Sequence, residues 1–204
     1  MERLLIVNGS PRAPRSNSKQ YAAIFRKAFH GDVEEYLVTA QKHASLCDSL
    51  HGFSDILLVF PLYADGLPAV LLSFLEVMAS RLPAERPNIH VLVNCGFIEP
   101  EQNLVACDMV RLFCRQTGCP IGSMLRIGSG EAILQTPFAF MVKRKIRLLA
   151  RAVACRTPKE FQVTMPLSKT SYINASTKFW IRYGEKNHIT KQQMETMQIE
   201  GADL

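Results

Sequence analysis

The sequence predicts an α/β protein built on a five-stranded parallel sheet. Short apolar runs alternate along the chain with segments whose apolar residues recur at helical spacing. Polar loops rich in Gly, Pro, Asn or Ser follow most of these runs. Alternating strands and helices are typical of parallel sheets with right-handed crossovers. The predicted strands are Leu4–Val7, Val33–Val38, Ile56–Phe60, Asn88–Asn94 and Ile121–Ile127.

Four helices are predicted between and after these strands. The first begins at Ser18 and places Tyr21, Ile24 and Phe25 at helical spacing. Gly118 ends the third helix, since glycine commonly follows the last helical residue. The other three predicted helices are Pro68–Arg81, Glu101–Thr117 and Pro137–Cys155.

The alternation of strands and helices stops at about Phe161. A helix is predicted over Ser168–Arg182, and Thr190–Ile199 begins with Thr-x-x-Gln, the pattern of a capping box. No linker separates two domains. We therefore expect a single domain over 1–204, with a core of residues 1–160 and a C-terminal helical extension of residues 161–204.

Composition indicates a globular chain. Of the 204 residues, 48% are hydrophobic and 21% are charged, which argues against disorder. No apolar run approaches the roughly 18 residues that cross a bilayer, and the N-terminus lacks a signal-peptide pattern. The six cysteines include no C-x-x-C pair, and the five histidines are scattered. We expect a cytoplasmic protein with free thiols, no bound metal and no membrane partner.

Positive charge is concentrated in the helix near the end of the core. The chain carries a net charge of +6, and residues 138–156 contain six Lys or Arg and no acid. Phe138, Met141, Val142 and Ile146 form an apolar stripe on this helix. The pattern favours a helix that covers the sheet and leaves a solvated basic face. Contact with a membrane surface, with nucleic acid or with the polyanion NADPH stays open as an alternative.

Four loops lie where a parallel sheet binds ligands, at the carboxyl ends of its strands. These loops follow the first, third, fourth and fifth strands and read NGSPRAPRSNS, FPLYADGLP, NCGFIEPEQN and IGSGEA. Because all four are rich in turn-forming and polar residues, they predict one ligand site at this edge.

The first loop has the chemistry of a phosphate site. One Ser or Asn suffices to cap a helix, but Ser16, Asn17 and Ser18 stand together. Ser10 adds a hydroxyl, Arg12 and Arg15 add two cations, and the amides at a helix start favour an anion. Neither a G-x-x-x-x-G-K-[ST] nor a G-x-G-x-x-G pattern is present, which argues against ATP hydrolysis and against Rossmann-type NAD binding.

The next two loops predict a flat slot. Tyr63 follows the third strand between Pro61 and Pro68, and the fourth strand is followed by Asn94-Cys95-Gly96-Phe97. Two aromatic residues can face a planar ring, and backbone N–H and C=O groups can read its edge. Cys95 is interpreted as a small residue that fits beneath such a ring, since no feature of the sequence predicts a lowered thiol pKa.

These loops resemble those of the flavodoxin-like NAD(P)H-dependent FMN reductases, which include quinone, azo-dye and nitro-compound reductases. The likeness lies in GSPR…SNS, PLYADGLP and NCGF and covers about residues 1–155. It implies a three-layer α/β/α fold with strand order 2-1-3-4-5. The usual family loop has a Gly-Asn-Thr-type segment where this chain has Ala13-Pro14-Arg15 and Ser-Asn-Ser.

The resemblance also implies a set of cofactor contacts, and because the cofactor would carry the chemistry we name no catalytic side chain. Ser10, Arg12, Ser16, Asn17 and Ser18 would surround the FMN phosphate. Two further segments would contact the isoalloxazine, and their residues are Pro61, Leu62, Tyr63, Asn94, Cys95, Gly96 and Phe97.

The expected function is therefore that of an FMN-dependent oxidoreductase. NAD(P)H would reduce the flavin, which would pass electrons to a small acceptor such as a quinone, an azo or nitro compound, or free flavin. By resemblance we expect a homodimer or higher homo-oligomer that binds no nucleic acid. The alternative is a flavin-binding electron carrier without NAD(P)H turnover, although carrier flavodoxins tend to be acidic with a Thr-rich first loop. A third alternative is a nucleic-acid-binding protein that uses the basic helix.

Overall fold

A six-stranded, fully parallel sheet forms the centre of the fold. The computed structural model describes residues 3–13 and 15–196. The strand order is β2-β1-β3-β4-β5-β6, so the predicted order 2-1-3-4-5 is correct but the predicted count of five strands is wrong. The strands are β1 Arg3–Asn8, β2 Asp32–Leu37, β3 Asp55–Pro61, β4 Asn88–Asn94, β5 Ile121–Ile127 and β6 Glu160–Val163.

The strand missed from the sequence is β6. It pairs with β5 from Met124 opposite Glu160 to Ile127 opposite Val163. It crosses the boundary at 160/161 that the sequence analysis placed between the core and the extension. With four residues, of which only Phe161 and Val163 are apolar, it offers too short an alternation to be distinguished from a loop. Its pairing with β5 covers what would otherwise be the edge of the sheet.

Helices cover both faces of the sheet in a three-layer α/β/α arrangement. Helix α1, Asn17–Ala28, and helix α5, Ala139–Ala154, contact each other on one face, and the other helices within residues 1–165 lie on the opposite face. None of the helices in the described residues is both long and apolar enough to span a membrane. The helices are α1 Asn17–Ala28, α2 His43–Asp48, α3 Ala69–Ala79, α4 Leu104–Thr117 and α5 Ala139–Ala154.

The central strands are almost completely buried because helices pack on both sides of them. In β3 every residue from Asp55 to Phe60 is buried, which explains why this strand reads as a continuous apolar run. On α5 the residues that face the sheet include Val142, Ile146 and Leu149, each with no exposed surface. The basic segment is therefore a covering helix, and most of its Lys and Arg side chains are exposed.

The chain divides into two compact units, residues 1–165 and 166–204. In the second unit, α6 spans Lys169–Lys186 and α7 spans Lys191–Met194. The predicted capping box is confirmed, since Thr190 accepts from the Gln193 N–H and the Gln193 side chain accepts from the Thr190 N–H. Residues 197–199 of the predicted Thr190–Ile199 helix lie outside the described residues. On α6 the rings of Phe179, Trp180 and Tyr183 pack against one another and stay about half exposed.

A buried Asp–His pair joins β3 to β4 near the amino ends of these strands. His90 Nδ1 accepts the Ser123 N–H at 2.9 Å, so Nε2 carries the ring proton and donates it to Asp55 Oδ1 at 3.0 Å. Ser54 Oγ and Asn88 Nδ2 also donate to this carboxylate. Burial alone would raise the pKa of Asp55, but the hydrogen bonds from His90, Ser54 and Asn88 outweigh it and hold the pKa below its ordinary value.

We expect Asp55→Ala to lower the free energy of unfolding at pH 7 by about 2 kcal/mol, since the buried His90 and the half-buried Ser54 and Asn88 lose a charged acceptor. A carboxylate with a lowered pKa stabilises the fold fully above its ordinary pKa of about 4 and loses that contribution as the pH falls through the lowered value. The difference between wild type and variant should therefore shrink on acidification below about pH 4. Urea unfolding followed by circular dichroism measures it.

Asp32→Ala is the matched control, because Asp32 forms an exposed ion pair with Arg3. Its loss should cost less than about 1 kcal/mol. Equal destabilisation by the two substitutions would contradict the role given to the buried pair.

Candidate functional site

One polar cavity of about 280 Å³ lies at the carboxyl edge of the sheet, where the four predicted loops meet. It brings together eleven of the twelve residues that the sequence analysis selected, and it adds Glu131 from the loop after β5. The lining residues are Ser10, Arg12, Ser16, Asn17, Ser18, Pro61, Leu62, Tyr63, Asn94, Cys95, Gly96 and Glu131.

Three serine hydroxyls of the cavity each accept one N–H group of the protein. Ser10 Oγ accepts from the Arg12 N–H at 3.3 Å, and Ser16 Oγ accepts from the Lys19 N–H at 3.2 Å as the N-cap of α1. Ser18 Oγ accepts from Asn94 Nδ2 at 3.2 Å. Because a hydroxyl has one proton and two lone pairs, each serine keeps its own O–H to donate to a further acceptor. The cavity therefore presents three hydroxyl donors beside a helix N-terminus.

The electrostatics of this end of the cavity favour an anion. It adjoins the start of α1, whose first turn carries no acid, so the amide dipoles contribute partial positive charge. Arg12 adds a full charge to the lining, whereas Arg15 is exposed and lies outside this cavity. Arg15 instead borders a neighbouring surface depression together with Arg12 and Lys19.

The first loop begins at Gly9, where helix α3 leaves little space for a side chain. A Cβ atom on Gly9 would lie 2.8 Å from Leu71 Cδ2 of α3, so any residue larger than glycine would have to shift the Leu71 side chain. Asn8 Oδ1 accepts the Ser10 N–H at 3.1 Å and fixes the first turn of the loop. Asn8 Nδ2 is buried and has no hydrogen-bond partner among the described residues.

The second loop is a tight turn that presents Tyr63. Tyr63 and Gly66 exchange two backbone hydrogen bonds, and the residues between them, Ala64 and Asp65, have φ values of 43° and 58°. This left-handed backbone is costly for residues with a Cβ atom, particularly for alanine. Tyr63 lines the cavity and is 50% exposed, so its ring is available on the solvent side.

Three backbone N–H groups of this slot already donate hydrogen bonds within the protein. Leu62 N–H donates to Asn94 O, and Cys95 N–H donates to Ile127 O. Tyr63 N–H donates across its own turn. The expectation that backbone N–H groups read the edge of a ring therefore does not hold for these three residues, because sheet and turn pairing uses them.

Asn94 connects the loops around the cavity. Its Nδ2 donates to Ser18 Oγ at 3.2 Å and to Phe60 O at 3.0 Å. A Cβ atom on Gly130 would lie 2.8 Å from the Asn94 Cβ, so glycine is required where the loop after β5 passes β4. Tyr21 Oη donates to Gly130 O at 2.6 Å and holds this loop against α1.

The Cys95 thiol is enclosed by protein rather than poised for reaction. Burial raises its pKa, although hydrogen bonds from Asn103 Nδ2 and from the Phe97 backbone oppose this effect. The distance from Asn103 Nδ2 to Cys95 Sγ is 3.3 Å. The geometry supports the interpretation of Cys95 as a small wall residue and argues against a nucleophilic thiolate.

Two residues distinguish the observed site from the predicted one. Phe97 is not among the lining residues; it is 53% exposed, and its carbonyl accepts the Ser129 N–H. Glu131 was not selected, although its loop was among the four predicted to form the site. Its carboxylate lies against Gly96, and its backbone oxygen accepts from Asn17 Nδ2 at 3.3 Å.

Comparisons with solved structures place this architecture among flavodoxin-like proteins. A flavodoxin from Streptococcus pneumoniae TIGR4 aligns with a TM-score of 0.56 and 19% identity over 75% of this chain and 98% of its own. An FMN-dependent NADH-azoreductase from Bacillus anthracis, in complex with FMN, aligns with a TM-score of 0.58 and 11% identity. The alignment covers 76% of this chain and 100% of the azoreductase chain. An NAD(P)H:quinone oxidoreductase from Methanothermobacter marburgensis aligns with a TM-score of 0.56 and 14% identity, over 75% of this chain and 97% of its own.

These likenesses define the fold as flavodoxin-like. The structural neighbours include FMN azoreductases and quinone oxidoreductases, in agreement with the family that the loop sequences resemble. No protein-family model matches the sequence, and no curated protein matches it significantly.

The cysteine environments lead to a labelling prediction. Five of the six cysteines are buried and Cys155 is exposed. Iodoacetamide at pH 7.5 should therefore modify one thiol per native chain, at Cys155, whereas the chain unfolded in guanidinium should react at all six. Peptide mass spectrometry identifies the modified residue. Cys155→Ser should bring native labelling close to zero, and rapid labelling of Cys95 in that variant would contradict the enclosed thiol.

Proposed function

We propose that this protein is an FMN-dependent NAD(P)H oxidoreductase that passes electrons to a small acceptor. The observation that carries the proposal is the division of one cavity into two chemically different parts. Hydroxyl donors and a helix N-terminus line one part, and Tyr63 with the Asn94–Gly96 backbone lines the other.

The donor set fits the phosphate of FMN. A phosphate monoester near neutral pH carries about two negative charges and three strong acceptor oxygens. The O–H groups of Ser10, Ser16 and Ser18 would donate to these oxygens, and Arg12 would offset part of their charge. Among the described lining residues Glu131 is the one acid, and its carboxylate lies against Gly96.

The remaining wall fits the ring system. Tyr63 offers an aromatic face, and Pro61 and Leu62 extend an apolar edge beside it. Because the N–H groups of Leu62, Tyr63 and Cys95 are paired internally, these segments would hold the ring mainly through its shape and through contact with Tyr63.

When bound, FMN supplies the chemistry of accepting hydride and passing on electrons. The protein's contribution is then to bind and orient the group and to exclude water from one side. The titratable side chains of the cavity are Arg12, Tyr63, Cys95 and Glu131, and the thiol of Cys95 is enclosed with a raised pKa. No side-chain acid–base pair is needed for this role, and we assign none.

Charge favours a reductase over the alternative of a flavin-binding carrier. The flavodoxin neighbour keeps the carrier alternative open at the level of the fold. However, this chain has a net charge of +6, and Arg12, Arg15 and Lys19 lie together beside the cavity. A basic surface at the cavity attracts a polyanionic reductant such as NADPH.

We further propose a homo-oligomer in the cytoplasm. An apolar groove of about 600 Å³ runs between α3 and α4, lined in part by Leu67, Leu72, Met109 and Leu112. Leu112 is 47% exposed. Met109 also contacts Gly66 at the end of the Tyr63 turn, so a second copy that covers this groove would lie next to the cavity.

Ser10→Ala should weaken FMN binding by about 10- to 100-fold, since it removes one hydrogen bond to a charged acceptor. Riboflavin lacks the phosphate, so its affinity should change by less than about threefold. Flavin fluorescence titration measures both ligands. Ser80→Ala, at the exposed C-terminal end of α3, is the matched control and should bind FMN like wild type.

Equal losses for FMN and riboflavin would contradict a phosphate role for Ser10, because they would indicate general damage to the cavity. A chain that binds neither flavin would overturn the proposed function.

Stopped-flow absorbance should show bleaching of bound FMN by NADPH or NADH in the absence of oxygen. Arg12→Gln and Arg15→Gln should slow the reaction with NADPH several-fold at low salt, with a smaller effect at high salt, because the attraction is screened. Arg81→Gln removes a charge that pairs with Asp48, distant in sequence from the loops, and serves as the control. Tight FMN binding without bleaching by either nucleotide would favour the carrier.

A further inference from the structure

A second, larger groove lies between the C-terminal half of α1 and α5. Its volume is about 800 Å³, and it belongs entirely to the first compact unit. The residues that line it are Ile24, Lys27, Ala28, Phe29, His30, Lys143, Arg147, Ala150, Arg151 and Ala154.

The walls of this groove carry unneutralised positive charge. The two helices together bear eight Lys and Arg, three on α1 and five on α5, and no Asp or Glu. Lys27 faces the groove from α1, and Lys143, Arg147 and Arg151 face it from α5 at intervals of four residues. Within the described residues, these four side chains form no ion pair. Like charges four residues apart repel each other on a helix, so a bound anion would relieve this repulsion.

The floor of the groove is apolar and has room for a flat group. Ala28, Ala150 and Ala154 are small, so the space between the helices is not filled by side chains. Phe29 and Ile24 complete the apolar surface. From Lys143 to Ala154 the groove follows about 16 Å of helix, at 1.5 Å per residue. This short length suits a small molecule rather than an extended polymer.

We propose that this groove binds a nucleotide that carries two or three phosphates. The phosphates would contact the row of Lys143, Arg147 and Arg151, with Arg in particular suited to bidentate phosphate contacts. The base would lie on the alanine floor, as apolar pockets with a few convergent charges hold small ligands.

This site is separate from the flavin cavity. The first cavity adjoins the start of α1 at Ser16–Ser18, and the groove lies at the end of the same helix, around Lys27–His30. The twelve residues of α1 place the two ends about 18 Å apart. A nucleotide in the groove would therefore be a second ligand of the protein and would not take part in hydride transfer.

Isothermal titration of the full-length chain with ATP tests the proposal. ATP has no hydride to donate, and excess FMN in the buffer competes for phosphate binding at the first loop. We expect saturable binding, weaker at high salt, and a loss of about tenfold in affinity for Arg147→Gln and for Lys143→Gln. Arg144→Gln removes the same charge from the same helix outside the groove lining, and it should change the affinity by less than twofold.

Tripolyphosphate has the charge of ATP but no base. It therefore distinguishes binding by the basic side chains of the groove from binding by its apolar floor. It should bind at least tenfold more weakly than ATP. Binding as tight as that of ATP would overturn the role of the floor. Equal losses in Arg147→Gln and Arg144→Gln would indicate diffuse attraction to the helix and overturn the site, as would the absence of saturable ATP binding. Circular dichroism confirms that each variant is folded.

Discussion

The candidate site depends on one amide side chain. Asn94 ends β4, and its Nδ2 donates both to Ser18 of α1 and to the backbone of β3 at Phe60. Its backbone oxygen accepts from Leu62, and its Cβ sets the closest approach of Gly130. A single residue thus positions the loops after β1, β3 and β5 around the end of β4. The parallel register brings these loops to one edge, and Asn94 fixes the distances between them.

Hydrogen bonds within the protein orient all three serine hydroxyls of the cavity. Each serine accepts an N–H from the protein, and the donors are two backbone amides of the same loop and helix and one side chain from β4. Helix capping accounts for Ser16 alone. The orientation of Ser18 is determined by Asn94, seventy-six residues later in the chain. The loop is therefore shaped for an anion by contacts that do not depend on the anion.

Much of the fold and most of the site were predictable because they depend on local patterns. Strands β4 and β5 occur at the predicted residues, and the continuous apolar run Ile56–Phe60 lies within β3, as is typical of a parallel strand buried on both faces. Strand β6 and the six-residue helix α2 were missed because each is too short to show a period. Glu131 lines the cavity because Ser129 has a φ of 54° and Gly130 passes close to Asn94. Both are tertiary constraints, which local sequence patterns do not show.

The aromatic group on α6 has a consequence for spectroscopy. Trp180 is the single tryptophan of the chain, and it lies in the unit of residues 166–204. Trp180 is about half exposed on α6, so its emission reports on the surroundings of that helix. A denaturation curve recorded at tryptophan wavelengths follows the C-terminal unit. Any offset between that curve and one from far-ultraviolet ellipticity would measure how independently the two units melt.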